Sequence, residues 1–329
     1  MMVLVTGATG HVGNVLVKRL VKEGREVGIL VHKKSPKDII GDIPYQVFQG
    51  DITDYETLLK PFREAEVVFH LAAKISITSG EYNELLRVNV GGTENVVRAC
   101  KETGIKKLVY VSSVHACHET PKGEPVTEQV PDSIEHVVGD YAKSKVLAYH
   151  KVMDGVKDGL DAVVVFPTGI IGPFDYRPSQ IGQLVRDFVL GKPVQYIDGA
   201  YNFVDVRDVV NGILLAFNKG GTGEGYLLGG YKVTVKELYE ELQKATGLSA
   251  KMKKVPARLA YYLSFFAEAY AKLMKKEAIF TPYSVRTLNS NSLISIEKAK
   301  MELGFLPRPF EQTIKDEVVW FKGNEIDVV

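Results

Sequence analysis

A glycine-rich turn, Gly7-Ala8-Thr9-Gly10-His11-Val12-Gly13, separates a strand-forming run from a helical pattern, and few folds accommodate that junction. Residues 2–6 are apolar and β-branched and read as a strand. The residues after the turn repeat at helical spacing as far as Gly24. Glycines let the backbone turn tightly and approach a bound group with no Cβ in the way. The helix that begins there presents unpaired N–H groups and a partial positive charge, which together suit a phosphate. The spacing is G-x-x-G-x-x-G rather than G-x-G-x-x-G, and its place between strand and helix gives it weight.

The same alternation continues downstream. Strands are predicted at 26–31, near 45–48, and at 67–71, 107–112 and 161–166, with helices at 81–103 and 140–156. The strands are nearly continuous in Val, Ile and Leu, as expected when helices cover both faces of a parallel sheet. The pattern loses regularity at Pro167-Thr168-Gly169 and Gly172-Pro173. Beyond it come helices near 179–190, 206–218, 234–246 and 257–275 and a strand near 225–228. The expected fold class is α/β, a doubly wound parallel-sheet Rossmann fold. Its NAD(P)-binding domain comprises 1–166 plus 203–229. A smaller, mainly helical C-terminal substrate domain comprises 167–202 plus 230–329.

Charge narrows the partners. In 329 residues, 41 basic side chains face 40 acidic ones, so nothing in the net charge of +1 calls for nucleic acid or an anionic surface. Cys100 and Cys117 make no disulfide framework and sit in no metal-ligand spacing, so no metal is expected. The chain opens directly on a strand without the features of a signal peptide, and no apolar run reaches the ~18 residues of a spanning helix. The expected location is the cytoplasm. Within 257–275, Leu259, Tyr262, Leu263, Phe266, Tyr270 and Leu273 recur at helical spacing. They are read as packing against the protein's own substrate domain or a second copy, rather than as a peripheral membrane contact.

A dinucleotide at the glycine turn would reach the end of the second strand with its adenosine ribose. There Leu30-Val31-His32-Lys33-Lys34 offers no acid to accept from the ribose hydroxyls, and its cations favour a 2′-phosphate. NADP(H) is therefore expected over NAD(H). Asp51, followed by Ile52, would stand near the adenine amino group, and the small Leu71-Ala72-Ala73 run leaves room for ribose and phosphates.

Tyr141 and Lys145 lie four residues apart on a predicted helix and so share a face. A free phenol has a pKa of ~10, and a cation one turn away favours its ionised form. The preceding strand ends in Ser112-Ser113, at the carboxyl edge where parallel sheets bind ligands. A hydroxyl there, taken as Ser113, donates to a substrate carbonyl oxygen. Neither serine lies in a G-x-S-x-G elbow, which argues against a Ser-His-Asp hydrolase.

TGATGHVG (6–13), GDITD (50–54), HLAA (70–73), VNVGGTENV (88–96), VSSV (111–114), YAKSK (141–145), PTGIIGP (167–173), NFVDVRDV (202–209) and KAKMELGF (298–305) run over nearly the whole chain. With them the chain resembles the extended short-chain dehydrogenases/reductases, the NAD(P)-dependent epimerase/dehydratase superfamily. Within it, the chain is most similar to the dihydroflavonol 4-reductase-like and 3β-hydroxysteroid dehydrogenase-like branch. The resemblance implies Tyr141 as proton donor, Lys145 as the residue that holds the nicotinamide ribose and lowers the Tyr141 pKa, and Ser113 as their partner hydroxyl. Asn89 matches an asparagine of the family, in structural support or in proton relay. Pro167, Thr168, Gly169 and Ile170 would lie by the nicotinamide carboxamide, with Val111 also against the cofactor. Ala116-Cys117-His118 stands where V-Y-G is usual, so the substrate side of that loop departs from the family.

Nucleotide-sugar epimerases of the superfamily usually carry Q-x-R-x-F-V-H-V-x-D. Here Tyr201-Asn202-Phe203-Val204-Asp205-Val206-Arg207-Asp208 lacks the Gln and the first Arg. The expected reaction is therefore hydride reduction of a small, apolar or aromatic ketone or aldehyde, a small-molecule carbonyl/alcohol pair. Two readings stay open: a nucleotide-sugar epimerase/dehydratase that retains NAD(P), and a non-catalytic cofactor-sensing protein, against which the Tyr/Lys pair speaks. A homodimer is compatible with the resemblance.

Overall fold

The computed structural model describes residues 2–33, 39–76, 78, 80–248, 252–274 and 281–328. The amino-terminal half runs β1 (Met2–Thr6), α1 (His11–Lys22), β2 (Glu26–Val31), β3 (Gln46–Gln49), α2 (Glu56–Glu64), β4 (Val67–His70), α3 (Tyr82–Leu85), α4 (Gly92–Thr103), β5 (Lys107–Val111), α5 (Asp140–Lys157) and β6 (Ala162–Pro167). There follow β7 (Gly169–Ile171), α6 (Gln180–Val189), β8 (Val194–Tyr196), β9 (Ala200–Asp205), α7 (Val206–Lys219), β10 (Gly225–Leu228), β11 (Tyr231–Thr234), α8 (Val235–Thr246), β12 (Met252–Lys254), α9 (Ala257–Leu273), α10 (Pro282–Leu288) and α11 (Phe310–Phe321).

Seven strands form one parallel sheet in the order β3-β2-β1-β4-β5-β6-β10. Alternate residues of β1 enter opposite cores: Val3 and Val5 join Leu16 and Val210 on one face, whereas Met2 and Leu4 join Phe62 and Val96 on the other. Burial on both faces explains why these strands read as unbroken apolar runs. The strand order reverses between β1 and β4, which opens a crevice at their carboxyl ends, as in Rossmann-like folds.

Several elements differ from expectation. The helix expected over 81–103 is interrupted by a wider π-type turn, Leu86–Gly91, which carries Asn89. Helix α2 was not foreseen; Pro61 lies within it, and its residues Leu58 and Phe62 are buried. The carboxyl-terminal region was expected to be mainly helical, yet it also holds a β11-β9-β7 sheet and a β12-β8 pair. These strands are three to six residues long, too short for a strand period to stand out. β9 spans the expected boundary at 203, while α7 and β10 return the chain to the large sheet.

Helix α9 departs from half of one expectation, that its apolar stripe packs against the protein's own substrate domain or a second copy. Leu259, Tyr262, Leu263 and Phe266 are 51%, 66%, 49% and 74% exposed, so within one chain they do not pack inward. The buried stripe is Ala260, Ser264 and Glu268. Helical spacing groups residues on one face; neighbouring elements decide whether that face is covered. The side chains of Tyr270 and Leu273, and residue Lys275, lie outside the described residues.

Candidate active site

The glycine turn is shaped by close approaches that a side chain would block. Gly7 has φ +73°, and a Cβ there would stand 2.6 Å from the Ala72 nitrogen; at Gly13 it would stand 2.1 Å from the Gly7 carbonyl oxygen. The first glycine lets the ends of β1 and β4 meet, and the second seats α1 against the turn. Thr6 Oγ1 ties the same strand ends, accepting from Ala72 N at 3.2 Å and bonding His70 Nδ1 at 2.8 Å. Burial and the Lys145 charge hold the His70 pKa down to about 3, so the ring is neutral. On the other side, His11 Nε2 bonds the Pro173 carbonyl at 2.8 Å, and Asn14 Nδ2 donates to the Gly10 and Phe174 carbonyls at 2.9 and 3.3 Å.

Tyr141 and Lys145 share the first turns of α5. Gly139 precedes them at φ +97°, where a Cβ would stand 2.3 Å from the Tyr283 ring, so a glycine is needed to start this helix beside that tyrosine. Lys145 is buried; its Nζ donates to the Val111 carbonyl at 3.3 Å and lies 5.3 Å from the Tyr110 ring centre. Burial pulls its pKa down to about 8. Burial pushes the Tyr141 phenol up, and its contact with the Ser113 hydroxyl acts in the opposite sense. Ser113 Oγ also accepts from His115 N at 3.3 Å.

Asn89 is buried and fully engaged. Its Oδ1 accepts from Lys74 N at 2.8 Å, and its Nδ2 donates to the Lys74 carbonyl and to Ser144 Oγ, both at 2.9 Å. Ser144 Oγ in turn donates to the Tyr141 carbonyl at 2.7 Å. The geometry makes Asn89 a brace between the segment after β4 and the start of α5.

These groups meet in a cleft of about 2120 Å³. Pockets for one drug-sized ligand are typically ~300–1,000 Å³, so this cleft has room for a dinucleotide and a second molecule. It gathers the expected turn residues Gly7, Thr9, Gly10, His11, Val12 and Gly13, and at its far end His32, Asp51 and Ile52. Leu71, Ala72, Ala73, Val111, Ser113, Tyr141, Lys145 and the 167–170 run line it as well. Lys33 is exposed and Asn89 buried, and neither lines it; Lys34 lies outside the described residues. Thr168 Oγ1 is buried and finds no hydrogen-bond partner among the described residues. A cradle that any Cβ would fill, a buried cation and an unsatisfied hydroxyl fit a nicotinamide dinucleotide.

Among the lining residues that the sequence reading did not assign to the site are His115, Tyr201 and Tyr283. His115 Nε2 lies 3.4 Å from the Tyr201 hydroxyl, and its ring centre is 6.0 Å from that of Tyr141 and 6.3 Å from that of Tyr283. Burial pulls the His115 pKa down to about 4. Its position two residues after Ser113 was a usable signal. Tyr201 and Tyr283 arrive from β9 and α10, and no local spacing announces them.

The sequence pattern of the NAD dependent epimerase/dehydratase family matches residues 3–229. The chain belongs to that family. It is 31% identical over 324 residues to sterol demethylase protein B of Methylococcus capsulatus, covering 98% of each chain. It is 30% identical to a putative dihydroflavonol 4-reductase of Synechocystis, covering 97% of this chain and 94% of the relative. A UDP-glucose 4-epimerase from Thermotoga maritima, solved with UDP-glucose, superposes with a TM-score of 0.81 at 24% identity, covering 98% and 99% of the two chains. The protein is thus an enzyme of the extended short-chain dehydrogenase/reductase superfamily, whose members use a nicotinamide cofactor. Among the described residues, no three His, Cys, Asp or Glu side chains group to hold a metal ion, and no helix is long and apolar enough to cross a membrane.

Proposed function

We propose that the protein is an NADP(H)-dependent reductase of a small apolar or aromatic ketone or aldehyde. The observation that carries this reading is the meeting of Ser113, Tyr141 and Lys145 beside an aromatic wall of His115, Tyr201 and Tyr283. Bound along the glycine turn, the reduced cofactor supplies a hydride to the carbonyl carbon. Ser113 Oγ–H donates to the carbonyl oxygen and stabilises the charge that develops on it. The Tyr141 hydroxyl then gives that oxygen its proton. Burial suits Tyr141 to the task, because a phenol pushed up in pKa arrives protonated. Lys145 holds its cation next to the strand end, where it orients the ribose and favours the phenolate left behind.

The far end of the cleft supports the preference for NADP(H). No acid ends β2, and Arg87 lines that end, 2.8 Å from the Glu84 carboxylate. His32 lines it as well, with its Nε2 4.0 Å from the Asp51 carboxylate. The rival reading is epimerisation of a nucleotide sugar, whose diphosphate needs cations on the substrate side. The cleft offers Arg177 and Lys192 there, and Lys192 is 2.6 Å from the Asp187 carboxylate.

The test is a fluorescence titration of the purified protein with NADPH and with NADH, followed by NADPH oxidation assays on apolar carbonyl compounds. Tighter NADPH and carbonyl-dependent oxidation are the expected results. Tighter NADH sinks the cofactor assignment. A co-purified cofactor that never exchanges, with no carbonyl turnover, replaces the reductase by the epimerase.

A further inference from the structure

A surface helix ordinarily shows water its polar side, and α9 does the reverse. Its inward stripe is Ala260, Ser264 and Glu268, while Leu259, Tyr262, Leu263 and Phe266 face outward with Tyr261 and Phe265 beside them. A contiguous exposed face of this kind marks contact with something other than water. Charge indicates what that is. Residues 251–276 carry seven lysine and arginine side chains against one acid, the buried Glu268, in a chain whose net charge is +1. Lys253, Lys254 and Arg258 among them are exposed, and Lys254 pairs with Asp198. A two-fold contact with a second copy would set Lys253, Lys254 and Arg258 against their own counterparts. A layer that is apolar inside and anionic at its rim accepts both features.

We propose that α9 lies flat in the interface of an anionic phospholipid bilayer. Its Leu, Tyr and Phe face sits at the headgroup and acyl boundary, and Lys253 and Arg258 at its amino-terminal end meet lipid phosphates. The same helix walls the cleft: Ala260 and Leu263 line it, with Val255 before them and Tyr283 after. One helix therefore separates the bilayer from the route to Tyr141. Delivery of a bilayer-dissolved carbonyl compound by this route rests on the reductase reading; the docking itself does not.

The experiment sediments the full chain with liposomes of phosphatidylcholine, with and without phosphatidylglycerol, at low and high salt. Binding is expected to the anionic vesicles, to weaken with salt, and to fall by roughly tenfold or more in Phe266→Ser and Tyr262→Ser, since each removes one large buried apolar group. Both positions are exposed and outside the cleft wall, so thermal melting and turnover of a water-soluble carbonyl compound should match the parent. No sedimentation with anionic vesicles, or equal sedimentation of parent and variants, overturns the proposal. So does a dimer that dissociates in the same variants, which assigns the face to a second copy. Vesicle binding without carbonyl turnover keeps the docking and sinks the reductase reading.

Discussion

Helices α1 and α9 both wall the cleft, and both show apolar residues at helical spacing, yet they settle in opposite ways. In α1 the residues Val15, Leu16, Val17 and Leu20 disappear into the sheet, and Lys22 stays in water. In α9 small and polar residues turn inward and the aromatic ones stay out. The difference lies in what each helix meets. The glycine turn and the registered strand ends draw α1 close, with Gly13 removing the one Cβ that would hold it off. α9 meets Ile197, Val255 and Val285 through Ala260, a cluster of only a few side chains. Periodicity identified both helices, and packing partners decided their orientation.

Tyr141→Phe, in the cleft that both helices wall, should have the largest effect. Loss of the proton donor is expected to cut turnover by ~10²–10⁴-fold, while the dinucleotide Kd from fluorescence titration stays at the parent value. Comparable losses in both would mean that cofactor binding and chemistry are not divided between the walls.

Gly13→Ala attacks α1 directly. Its Cβ would stand 2.1 Å from the Gly7 oxygen. Overpacking of ~1–3 kcal/mol should weaken dinucleotide binding by roughly 10- to 100-fold and lower the Tm. An exposed position on α9 such as Phe266 should tolerate serine within about 0.5 kcal/mol. If calorimetry gave both variants the same fall in Tm, the contrast between the helices would disappear.

The smallest effect near neutral pH concerns Lys145. Its folded pKa, lowered to about 8 by burial, sits below the ordinary 10.5. Burying the cation therefore opposes folding below pH about 8, and the penalty is relieved as pH rises towards 10.5. Activity should run the other way, with reductive kcat/KM declining above pH about 8 as the ammonium is lost. A pH profile of Lys145→Arg, whose charge persists, should lack that decline; an unchanged profile would assign it to another group.

The site was legible wherever its chemistry is local. The glycine turn Gly7 to Gly13, the Ser113 strand end and the Tyr141/Lys145 pair are each confined to a few residues of sequence, and all face the cleft. Lys33 belonged to the same local reasoning and faces solvent instead, because a residue's place after β2 does not set its direction. Asn89 was legible as a residue, but its work as a brace emerges from Lys74 and Ser144, brought together by the π-type turn.

From order along the chain came the alternating strands and helices, the phosphate-ready turn and the reactive pair, since each follows from backbone geometry and side-chain spacing over a turn or two. Folding supplied the rest. It brought His115, Tyr201 and Tyr283 together from three distant segments and left the aromatic side of α9 uncovered. Contacts between remote segments depend on which surfaces meet, and no local period records that.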